Sequence, residues 1–136
     1  MSTENFLNVQ IFYNFTVQNT NVHQIPKFAE AVGTQRINWL IVNNPSFLTT
    51  KIMPATAKKY ALSQIKPWME KLNDPYRYRH IKAIVDELAS NNKMDKDLYK
   101  QYMKYNAGLD KLRNQNLFDV APQMITKFGK KIYDSV

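Results

Sequence analysis

With 136 residues and 44% hydrophobic side chains, the chain can build one packed domain and is too apolar for global disorder. It has no cysteine, which excludes disulfides, thiolate nucleophiles and any cysteine-held zinc or iron–sulfur centre. The net charge of +8 is unevenly placed: residues 51–113 carry fourteen Lys/Arg against seven Asp/Glu, whereas in the first fifty residues Lys27 and Arg36 cancel Glu4 and Glu30. The basic surface therefore belongs to the middle of the chain. The opening MSTENFLNVQ lacks the basic and apolar regions of a signal peptide, and no apolar run approaches a membrane span. These features predict a cytoplasmic protein with no membrane partner.

In NVQIFYNFTVQ (Asn8–Gln18), Val9, Ile11, Tyr13, Phe15 and Val17 alternate onto one face, the period of a strand. Phe12 on the other face predicts that this side too is partly covered. Pro26 suits a first helical turn, Ile25, Phe28, Ala29 and Val32 follow at helical spacing, and Gly33 is a natural terminator. INWLIV (Ile37–Val42) is continuously apolar, as for a strand buried on both faces. Strand, helix, strand predicts a right-handed βαβ unit over residues 8–42.

From Pro54 to residue 136 the pattern is helical. One stripe is Ala57, Ala61, Ile65, Trp68 and Leu72, with Pro67 expected to kink or split it. Asp74-Pro75 caps a helix marked by Ile81, Ile84, Val85 and Leu88. After the break SNNK, Asp95 caps a third, with Leu98, Tyr102, Tyr105, Leu109 and Leu112 on its apolar face. A short helix around Ala121–Phe128 ends near Gly129. The predicted fold class is α/β: a short βαβ unit with two parallel strands, part of a truncated barrel-like sheet, followed by about four helices in a single domain.

Few residues carry chemistry. His23 and His80 lack ligand spacing to each other or to a carboxylate cluster, which favours a loop and a surface role over a metal site. Three glycines leave no phosphate-cradling loop, and no serine lies in a nucleophile elbow. No catalytic residue is predicted. YRYRHIK (Tyr76–Lys82) and YKQYMKY (Tyr99–Tyr105) interleave bases with aromatics, a composition suited to nucleic acid. Arg77, Arg79, Lys82, Lys100 and Lys104 would meet phosphates, and Tyr76 or Tyr78 would stack on bases. The competing reading is that Tyr102 and Tyr105 belong to a buried stripe flanked by solvated lysines.

Three stretches, in order, carry a family resemblance. They are VQIFYNFTVQNTNVHQIPKF, INWLIVNNPSFLTTKIMP and LDKLRNQNLFDVAPQM, the last with an Asp110/Arg113 pair before a proline. Together they span nearly the whole chain, and they resemble the C-terminal half of a twitch-domain radical-SAM enzyme, a partial (β/α)6 barrel. The resemblance implies that Gln18 and Asn19 after the first strand, Asn43 after the second and Asn38 within it face S-adenosylmethionine or substrate. Asn and Gln at strand ends also simply satisfy turn backbone.

The family's CxxxCxxC motif lies in an N-terminal half that this chain lacks. An iron–sulfur cluster and S-adenosylmethionine chemistry are therefore expected only if a partner chain supplies the cysteines. The resemblance and the unpaired strand edges together predict association with another protein chain or a second copy, through edges near Phe12 and Trp39. The chain is then a subunit of a split enzyme or a repurposed binding module. The alternative is a small basic nucleic-acid-binding accessory protein.

Overall fold

The computed structural model describes residues 10–33, 35–90 and 93–136. Strand β1 (Phe12–Val17) leads through a 3-10 turn into helix α1 (Ile25–Val32), and strand β2 (Arg36–Ile41) returns beside β1. The two strands pair in parallel, from Phe12 opposite Arg36 to Val17 opposite Ile41. Among the described residues five helices follow: α2 (Ala55–Met69), α3 (Pro75–Ala89), α4 (Lys96–Arg113), the single turn α5 (Leu117–Val120) and α6 (Lys127–Asp134). The architecture is the α/β one that the change of hydrophobic period near Pro54 predicts. Asn8 and Val9, at the start of the expected first strand, and Asn91 and Asn92 of the SNNK break lie outside the described residues.

Local chemistry sets most boundaries. Pro26 occupies the first turn of α1, and Gly33 ends the helix at φ +70°, where a side chain would be strained. The Asp74 carboxylate accepts the backbone N–H of Tyr76, and that of Asp95 accepts those of Asp97 and Leu98, so α3 and α4 begin as predicted. Asn114, left-handed at φ 51°, closes α4.

The sheet is one-sided. Phe15 and Val17 are buried, with Phe15 4.8 Å from the Phe28 ring of α1 and 5.6 Å from Trp39. On the opposite face nothing comparable covers the strands: Phe12 is 55% exposed and Leu40 50%. This corrects two expectations, a covered face under Phe12 and a β2 buried on both sides. A single crossover helix covers one face of a two-stranded sheet. Among the described residues no second layer supplies the other.

Three helical expectations are also corrected. Helix α2 runs unbroken through Pro67, which lies in its last turn, where one lost backbone bond does not split it. On α4 the buried stripe is Tyr99, Tyr102, Met103 and Ala107, and Leu112 is 85% exposed. Gly129 terminates nothing: it lies inside α6, buried against Tyr99. A Cβ there would sit 2.8 Å from Tyr99 Cζ and 2.9 Å from Met103 Cε, so glycine is what lets α6 lie against α4. The Tyr99 hydroxyl then donates to the Met124 carbonyl at 2.7 Å, fixing the chain that leads into α6. One continuous apolar cluster joins Phe15 and Ile37 of the sheet to Ile65, Ile81, Tyr102 and Met124 of the helices.

Candidate binding surfaces

Parallel strands bring their carboxyl ends to the same side of a sheet, the usual place for ligands in α/β folds. Here the N–H of Val42 donates to the Val17 carbonyl at 3.0 Å, so the segments carrying Gln18, Asn19 and Asn43 leave the sheet side by side. Their amides do different things. Asn19 is fully buried; its Nδ2 donates to the carbonyls of Phe47 (2.9 Å) and Thr49 (3.2 Å), and its N–H to that of Leu48 (3.0 Å). It fastens the segment after β2 to the turn after β1. Its Oδ1 is buried with no hydrogen-bond partner.

The backbone of Gln18 closes the same turn. Its N–H donates to Asn21 Oδ1 at 2.9 Å, and its carbonyl accepts the N–H groups of Asn21 and Val22. Asn43 is exposed and, with Ser46, Lys51 and Asp95, helps line an open groove of about 500 Å³. Asn38 lies elsewhere, on the uncovered sheet face, where its amide donates to Asn14 Oδ1 at 3.1 Å. Asp110 does not turn to Arg113. It accepts the N–H of Leu117 at 2.6 Å and the hydroxyl of Tyr133, closing the C-terminal helices on one another.

The basic residues divide in a similar way. Arg77 is half-buried and donates to the carbonyls of Gly33 (2.6 Å) and Gln35 (2.8 Å), tying the start of α3 to the turn before β2. Lys82 pairs with Asp86 at 2.9 Å on the same helix, and that carboxylate raises its pKa. Arg79, Lys100 and Lys104 are exposed. Helix α3 packs on α2 and α4 on α6, so the two base-and-aromatic stretches sit on different helix pairs. Tyr76 and Tyr78 are 37% and 39% exposed, but the Tyr76 ring already lies 4.3 Å from His80 and beneath Arg36.

The His23 ring lies 5.5 Å from that of Tyr60 at a tilt of 49°, and burial lowers its pKa. Among the described residues no three of His, Cys, Asp and Glu converge to hold a metal ion, and no helix is long and apolar enough to cross a membrane.

The sheet edges complete the inventory. In a parallel ladder the N–H and C=O of one residue point to the same side, and successive residues alternate. Because the Val17 carbonyl faces β2, the main-chain groups of Phe12, Asn14 and Thr16 face outward from β1. By the same alternation those of Ile37, Trp39 and Ile41 face outward from β2. The β1 edge is partly blunted, since the Thr16 carbonyl accepts Asn21 Nδ2 at 2.9 Å. The β2 edge is buried at Ile37, but from Trp39 onward it has no such hydrogen-bonded cover among the described residues, and Ile41 on it is 55% exposed.

Phe12 stands on the open face. The Trp39 side chain packs inward against Phe15, its Nε1 buried without a partner. Sequence reading passes over Leu40 and Ile41 because a continuous apolar run looks buried; the only counter-signal is that one crossover helix covers one face. Compared with family models, curated proteins and solved structures, the chain matches none of them.

Proposed function

We propose that this chain acts by protein association, with the free edge of β2 receiving an extended strand from another chain or from a second copy. The observation that carries this is the open main-chain edge at Trp39 and Ile41, flanked by the half-exposed side chains of Leu40 and Ile41. A two-stranded sheet is marginal in water, and added strands contribute both ladder hydrogen bonds and apolar contact.

A finer form of the proposal makes the chain one subunit of a split radical-SAM-like enzyme. The residues present do not fit an iron–sulfur cluster, because no thiolate exists to ligate iron. Any such cluster belongs to the partner. Of the strand-end amides that the resemblance aims at S-adenosylmethionine, Asn19 is already committed to Phe47 and Thr49, which leaves the half-buried Gln18 and the exposed Asn43. The repurposed binding module is therefore the better-supported form. Nucleic-acid binding has less support, since Arg77 and Lys82 already have protein partners.

The test is sedimentation of the pure chain over a wide concentration range, joined to cross-linking in its native cells. Self-association or a cross-linked partner should map to β2. Ile41→Lys should abolish it while leaving the fold intact, as a lysine on an edge does. A strict monomer, with no cross-link at β2, would sink the proposal.

A further inference from the structure

A second concavity lies away from the sheet edge, where the start of α2, the end of α3 and the start of α4 meet. Its space is about 690 Å³, within the range of roughly 300–1,000 Å³ typical of small-molecule sites. Met53, Leu62, Leu88 and Met94 supply apolar walls. The first and third are fully buried, whereas Leu62 and Met94 retain accessible surface on the groove.

The charge on its rim has one sign. Lys58, Lys59, Lys93 and Lys96 line it, and no Asp or Glu does among the described residues. Lys58 is 8% exposed and engages the surrounding protein; the ammonium groups of Lys59, Lys93 and Lys96 are exposed. Three helix ends also border the groove, and the start of α4 is already capped by the Asp95 carboxylate, which leaves two of opposite polarity. The start of α2 has no side-chain cap and no acidic residue in its first turn, leaving a positive end. The end of α3 is negative, although the Ser90 N–H and hydroxyl both donate to the Glu87 carbonyl and blunt it. The helix ends roughly offset each other, so the lysines decide the sign.

We propose that this groove binds a small anionic amphiphile: one carboxylate- or sulfonate-type head held by Lys59, Lys93 and Lys96, and a short acyl or aryl body laid on Leu62 and Met94. Apolar walls without the lysines would accept any hydrophobe. Lysines without the walls would form a solvated patch. Their coincidence in one concavity selects a ligand with both properties, and the size selects a small molecule over a polypeptide. The groove shares no residue with the β2 edge, so this inference and the association proposal fail independently.

The experiment is a fluorescence titration of the intact chain with anilinonaphthalene sulfonate, followed by competition. Binding should saturate at one site. Decanoate should displace the dye, whereas decanol and decyltrimethylammonium should not. Lys93→Glu combined with Lys96→Glu should weaken binding by about tenfold or more, as expected for reversing two charges near an anion. Lys127→Glu combined with Lys131→Glu on α6 makes the same change in net charge and should weaken it less than about twofold.

Amide NMR shifts on decanoate addition to the unaltered chain should centre on Leu62, Leu88 and Met94, a readout that needs no variant. Non-saturable binding, equal loss in both double variants, equal displacement by decanol, or shifts centred elsewhere would each overturn the proposal. So would binding to anionic phosphatidylglycerol vesicles without binding to free decanoate.

Discussion

Helices α4 and α6 meet so closely that the contact tolerates no side chain at residue 129, and the Tyr99 hydroxyl there is shared among the Met124 carbonyl, Thr126 Oγ1 and the Thr126 N–H. The two strands, at the other end of the chain, expose Phe12, Leu40 and Ile41 and leave one edge without a partner among the described residues. The same apolar cluster runs through both regions. The difference is that the helices surround their buried groups, whereas the sheet has one covered face. Where packing is closed a change costs stability; where it is open a change alters what the surface can join.

The strongest way to break that contrast is Gly129→Ala. It should destabilise the fold by about 3 kcal/mol, the upper range for overpacking, because the new methyl group displaces Tyr99 from its bond to Met124. Gly108→Ala, inside α4 with nothing within 4 Å of the added Cβ, is the matched control. It should stabilise by up to about 1 kcal/mol through helix propensity. Urea denaturation reads both, and equal effects would erase the distinction between closed and open packing.

Alkaline pH attacks the same closed region. Burial pushes the Tyr99 phenol up, and burial with nearby Tyr99 and Asp110 pushes the Tyr102 phenol far above its usual range. A phenol whose folded pKa is raised contributes stability that is fully present below its unfolded value, about 10. That stability is lost as pH rises from there through the folded pKa. Ultraviolet difference spectra should therefore show the Tyr99 and Tyr102 phenols ionising only above pH of about 10, with the melting temperature falling in the same range. Ionisation of Tyr99 and Tyr102 at the unfolded value in the folded state would contradict the closed packing.

The smallest effect concerns the tie between the two regions. Arg77→Gln removes the bonds to the Gly33 and Gln35 carbonyls. It should cost about 1 kcal/mol or less, since both acceptors can turn to water. Hydrogen exchange should quicken around Ile37 while α4 and α6 stay protected. Uniform quickening would mean that the sheet and helices open as one unit.

Asp74, Asp95, Pro26 and Gly33 announced their helix ends in the sequence because capping acts over three or four residues, within reach of any local pattern. The change from period two to helical spacing likewise contained the α/β architecture and the parallel order of the strands. Other features required contacts between distant parts of the chain. Gly129 reads as a terminator until Tyr99, thirty positions earlier, is packed against it. Asn19 reads as a ligand-facing amide until the carbonyls of Phe47 and Thr49 close on it.

Arg77 looks like a free cation until β2 brings Gly33 and Gln35 within reach. Lys59 and Lys96 have no sequence relation, and only the meeting of α2 and α4 makes them one rim. Leu40 and Ile41 looked buried because hydrophobicity records what a residue prefers, whereas exposure depends on which elements the fold has available to cover it.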